Sequence, residues 1–219
     1  MIDRRDFLAR AAGAGLAAAL PASVASAETP LAPPGDTKWD FSWTGRLRGK
    51  SRAVFDSPEI NEGSAIYRAA LWREQLKEVY GTPIEDVTPV VVLRHEGIAL
   101  AMDDQYWDRF DIGKAAKLKD PATKKWTKRN PVATASAKAP PPFNTISLPN
   151  FINSGGVVLA CGLAFEWVAS RYQEKDKLDA AAAKQRAHEH LLPRVILQPS
   201  GFFAVLKAQE EGCNFFSGS

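Results

Sequence analysis

Gly156-Val157-Val158-Leu159-Ala160-Cys161-Gly162 places five apolar residues in a row between two glycines. A strand with one wet face alternates apolar and polar residues, whereas a strand covered on both faces reads as an unbroken apolar run. The run therefore predicts a buried strand that ends at Cys161-Gly162, with a helix over residues 163–173 behind it. Residues 89–93 carry the same signal and stop at Arg94-His95-Glu96-Gly97, after which residues 98–102 form a short helix. Residues 52–55 make a third strand, closed by Asp56-Ser57-Pro58. Residues 194–198 make a fourth, closed by the turn Pro199-Ser200-Gly201, and Asn214-Phe215-Phe216 a last short one.

Helical signals fill the gaps. In residues 64–80, Ile66, Ala69, Ala70, Leu76, Val79 and Tyr80 recur at spacings of three and four, and Gly81 supplies the stop. Residues 177–190 are rich in Ala and charge, and residues 202–210 run to Gly212. About five strands separated by helices predict an α/β fold: a three-layer sandwich with a mostly parallel sheet.

Residues 1–27 read differently. Arg4-Arg5-Asp6-Phe7-Leu8 is a twin-arginine core, residues 11–20 are mildly apolar, Pro21 breaks the run, and Ala25-Ser26-Ala27 is a small-x-small cleavage pattern. The apolar run is half the length of roughly 20 residues that spans a bilayer. An export signal is expected, with a periplasmic or secreted protein starting near Glu28 and no stable membrane insertion after cleavage. Residues 28–50 are expected to form an N-terminal arm, in which Trp39, Phe41 and Trp43 alternate with Asp40 and Ser42 as in a short strand. Residues 51–219 make one domain. Residues 110–150 interrupt its pattern with Lys117, Lys119, Lys124, Lys125, Lys128, Arg129 and three successive prolines, and read as a long, partly extended insertion serving as a lid or an oligomer contact.

The 28 Lys and Arg against 25 Asp and Glu leave a formal charge of +3. Arg4, Arg5 and Arg10 against Asp3 and Asp6 put +1 of it in the leader. The remainder is spread over charges of both signs, which is no footprint for nucleic acid. Gly-x-Gly-x-x-Gly, P-loop, Gly-x-Ser-x-Gly, His-Glu-x-x-His and Cys-x-x-Cys-His patterns are all missing, so no cofactor is implied. His188 and His190 stand two apart on a helical stretch, where they do not share a face for a metal.

Ligands of open parallel sheets bind outside the carboxyl ends of the strands. Those ends hold Asp56, His95, Cys161 with Gly162, and Ser200. Cys161 is the most informative. It stands before a helix, whose first free N–H groups and dipole favour a thiolate. A buried, inert cysteine is the alternative. His95 is its natural partner as base or hydrogen-bond donor, Gly162 gives room for a close approach, and Asp56 and Ser200 are weaker binding candidates. Cys213 precedes the last strand, so the two cysteines lie at opposite edges of a parallel sheet. About 15 Å separates such edges, against the roughly 7 Å that a bridge allows.

Three segments together resemble the DsrE/DsrF-like family: Val90-Val91-Val92-Leu93-Arg94-His95-Glu96-Gly97, Val157 to Gly162, and Val195-Ile196-Leu197-Gln198-Pro199-Ser200-Gly201 leading into Leu206-x-x-Gln209-x-x-Gly212. The resemblance spans residues 52–105 and 151–216. It implies a compact α/β sandwich that forms homo-oligomers, and a cysteine carrying sulfur as a persulfide at the position of Cys161. A small sulfur-containing ligand follows from it, with a non-catalytic ligand-binding or assembly module as the alternative.

Overall fold

A computed structural model describes residues 38–137 and 143–219. The twin-arginine segment, with Arg4 and Arg5, lies outside the described residues. Five strands form one sheet: β1 (Ser51–Ser57), β2 (Val87–Leu93), β3 (Val157–Cys161), β4 (Ile196–Gln198) and β5 (Asn214–Ser217), in the order β4-β3-β2-β1-β5. Every pairing is parallel, so the sheet is parallel throughout. The helices of the described residues are α1 (Ser64–Tyr80), α2 (Asp104–Arg109), α3 (Ile112–Ala115), α4 (Leu148–Asn153), α5 (Gly162–Asp176), α6 (Ala180–Glu189) and α7 (Gly201–Glu210).

The apolar runs are dry on both sides because each face of the sheet has its own core. Ala53, Phe55, Val91, Leu93, Val158 and Ala160 pack with Ile66 and Ala69 of α1, and with Phe165 and Val168 of α5. The alternate residues Val54, Val90, Val92, Val157 and Leu159 pack with Ala204, Val205 and Ala208 of α7, and with Trp43 and Leu47. Each fully buried Val or Leu contributes about 1.5–3 kcal/mol against the entropy of ordering it. Three small residues on α7 let that helix lie close to the sheet.

Two segments depart from expectation. The Trp39–Trp43 alternation predicts an extended arm, yet Ser42–Arg46 is a 3-10 helix. Asp40 Oδ1 accepts from the Ser42 N–H at 2.8 Å and the Phe41 carbonyl accepts from the Thr44 N–H at 3.1 Å, which closes the chain into a turn. Trp43 is then wholly buried in the second core. The segment 110–150 also contributes to the fold: Ile112, Val132, Ile146 and Leu148 belong to the first core. Buried Asn130 fastens it, donating through Nδ2 to the Leu100 and Met102 carbonyls at 2.8 and 2.6 Å, while its Oδ1 accepts from the Val132 N–H. Its basic part folds back through an antiparallel bridge between Lys119 and Trp126.

Candidate functional site

β3 and β4 are neighbours, with Cys161 opposite Gln198. The chain leaves β3 as α5 toward the first core and leaves β4 as α7 toward the second. Adjacent strand ends whose helices depart to opposite faces open a crevice. Here it is a cavity of about 430 Å³ lined by Arg94, His95, Cys161, Leu163, Trp167 and Phe202, among others. A second cavity, about 500 Å³, lies away from the strand ends, among the side chains of Lys119, Lys124, Lys125 and Trp126. Its lining is mostly lysine, with Asp111 and Thr127, and it holds neither a cysteine nor a histidine.

Cys161 is the N-cap of α5. Its Sγ accepts from the Ala164 N–H at 3.4 Å, and the residue is 7% exposed. This contact satisfies one orphan donor of the helix and directs that donor at the sulfur. Both cysteines are free thiols. Cys213 sits in a contrasting place, where burial pushes its thiol up to about 11.

His95 is exposed and has a φ of +47°, a left-handed conformation that few residues other than glycine adopt. Neighbouring contacts impose it. The Arg94 N–H donates to the Ser57 carbonyl and the Gly97 N–H to the Pro58 carbonyl, both at 3.0 Å. Gly97 lies so close to β1 that a Cβ would stand 2.2 Å from the Ser57 oxygen. The turn after β2 is thereby locked, and it presents His95 at the crevice.

Asp56 stands behind this turn. It accepts from Arg94 Nε and Nη2 at 2.7 Å each, a bidentate pair. The hydrogen bond to Asp56 is the main cause that raises the pKa of the guanidinium against the opposing effect of burial, and the charge of Asp56 adds to it. The other two candidates serve the frame. Ser200 caps α7, with Oγ accepting from the Phe203 N–H at 3.2 Å. Gly162 faces the Gln198 carbonyl and the Trp39 ring, which a Cβ would approach to 2.7 and 2.9 Å.

The structure thus brings His95 and Cys161 into one crevice, places Asp56 behind it, and keeps Gly162 and Ser200 as supports. Sequence reasoning does not single out Arg94, whose one signal is an extended backbone parity shared with Asp56 and Cys161. It does not single out the lip either. Leu163 and Trp167 stand four apart on α5 and Phe202 opens α7; they are 62%, 48% and 65% exposed. Elsewhere, His190 Nδ1 meets Asp103 at 2.9 Å and its ring stacks on Tyr172. Among the described residues no group of His, Cys, Asp or Glu could hold a metal ion, and no helix is long and apolar enough to cross a membrane.

Fold and site together define an α/β protein with a wholly parallel five-stranded sheet and a thiol in the crevice at its carboxyl edge. No protein-family model and no curated protein matches the chain.

Proposed function

We propose that this chain is an exported DsrE-like protein whose Cys161 binds or relays a sulfur species. The observation that carries the reading is the Cys161 Sγ in the crevice, accepting a backbone N–H at the start of α5. The N–H donor fixes the sulfur at the crevice, and the thiolate is the nucleophilic form of cysteine. His95, in the same crevice, receives the thiol proton. The thiolate then attacks the terminal sulfur of an organic persulfide. The S–S bond of the donor breaks, a new S–S bond forms on Cys161, and the donor departs as its thiolate, so no external oxidant is needed.

Incubation with a low-molecular-weight persulfide, followed by mass spectrometry of the intact protein, tests this. The expected result is a gain of one sulfur atom on Cys161, absent from Cys161→Ser and retained in Cys213→Ser. Sulfur found on Cys213 instead, or unchanged uptake by Cys161→Ser, would sink the reading.

An assembly module is the second reading. It is favoured by the exposed apolar side chains of Leu163, Trp167, Phe202 and Leu206 beside the crevice. In this reading the lip joins copies into a homo-oligomer. Trp43 takes no part in such a contact, since it is wholly buried in its own domain.

A further inference from the structure

Next to Cys161 the crevice holds a guanidinium in a fixed frame. Asp56 takes two Arg94 donors, Nε and Nη2. The first residue of α7 presses on the stem of the same side chain, for a Cβ on Gly201 would come within 2.4 Å of Arg94 Cβ. Leaving this position would cost Arg94 both hydrogen bonds to Asp56, and the start of α7 lies against its stem. Five N–H donors form the guanidinium fork, and Asp56 occupies one edge of it. Nη1 has no hydrogen-bond partner among the described residues, so the Nη1–Nη2 edge stays available.

Exposure follows the same direction. The Asp56 side chain is 11% exposed and the Arg94 side chain 26%, so the carboxylate lies inside and the guanidinium toward the opening. The rest of the lining is chiefly apolar: Leu163, Ala164, Trp167 and Phe202, with Glu96 as its one acidic side chain, exposed to water. A volume of about 430 Å³ suits a small molecule. Apolar walls with one oriented cationic fork match a ligand with an apolar body and a planar anionic end.

We propose that the crevice binds an apolar organic acid, with Arg94 as the residue that selects its carboxylate. Asp56 is the positioning residue for Arg94. Leu163, Trp167 and Phe202 hold the apolar body. The proposal rests on the reading of this crevice as the working site and requires no sulfur transfer. In a sulfur relay, the acid would be the thiol or persulfide that meets Cys161.

Calorimetric titration of the purified full-length chain with 4-phenylbutyrate and with 4-phenylbutanol tests it, because the two share an apolar body and differ at the end group. The acid is expected to bind roughly tenfold tighter or better, the size of a charge-assisted hydrogen bond. Arg94→Gln is expected to bring the acid down to the affinity of the alcohol while leaving the alcohol unchanged, which also shows that the crevice is intact. Asp56→Asn is expected to narrow the acid-over-alcohol ratio, a readout that mere loss of stability would not move. Equal affinity of acid and alcohol for the unmodified chain, binding of neither, or an undiminished ratio in Arg94→Gln would each overturn the proposal. The comparison in the unmodified chain needs no variant to fold. The two readings fail separately: an intact acid-over-alcohol ratio in a chain that takes up no sulfur removes the relay and keeps this proposal, and sulfur uptake without that ratio does the reverse.

Discussion

Gly162 has no room for a side chain, and the reason is the meeting of three elements. The Gln198 and Pro199 carbonyls and the Trp39 ring close over its Cα, the nearest 2.7 Å from a would-be Cβ. Gly162→Ala is therefore expected to cost about 1–3 kcal/mol through overpacking, read as a lower midpoint in urea. Cys213 gives a prediction with a pH sign. Its thiol rises from 9.0 to about 11 in the folded chain, chiefly through burial. The unfolded chain releases this proton first, so between those two values it binds fewer protons than the native state. Stability is complete below about pH 9 and falls toward pH 11, by on the order of 2 kcal/mol for this group. Urea titrations at about pH 8 and pH 10.5 should show a larger alkaline loss for the unmodified chain than for Cys213→Ala.

At the scale of elements, caps and anchors carry the site. Ser200 satisfies a free N–H of α7, so Ser200→Ala is expected to lower stability by about 1 kcal/mol, measured by thermal or chemical melting. Asn130→Ala should cost more, about 2–3 kcal/mol, because it strips two buried carbonyls of their donor. Most elements are legible in the amino-acid sequence. The α1 boundaries Ser64 and Tyr80 follow from spacing and the Gly81 stop, and β2 and β3 from unbroken apolar runs, because such signals lie within one element. The Trp39–Trp43 segment misleads for the same reason. Its period of two and the Asp40 turn are both local signals, and the burial of Trp43 that decides between them depends on a sheet face assembled from remote residues. Asn130 is equally silent, since its partners Leu100 and Met102 lie 28 to 30 residues away.

Across the whole molecule, the lip on α5 and α7 and the proposed export make separate predictions. Replacing Phe202 and Leu206 with Asp adds charge to the exposed apolar surface without touching either core. If the lip joins copies, light scattering should show the mass fall to that of one chain; an unchanged oligomer would remove the lip from the interface. Replacing Arg4 and Arg5 together with Lys should leave the chain unexported, read by cell fractionation; normal export of that variant would end the twin-arginine reading.

Cys161 and His95 can be named from the chain alone, because parallel strands bring their carboxyl ends to one edge whatever the rest of the fold does. Strand identity, helix spacing and the apolar runs are local properties of the same kind. Arg94 becomes visible only in three dimensions. Its importance comes from Asp56, 38 residues earlier, and from Gly201, more than 100 residues later, which together hold one edge of a guanidinium and leave another edge open. Nothing in the local sequence of Arg94-His95-Glu96-Gly97 specifies those neighbours. They are set by the strand order and by the departure of α5 and α7 to opposite faces, which is a property of packing between elements.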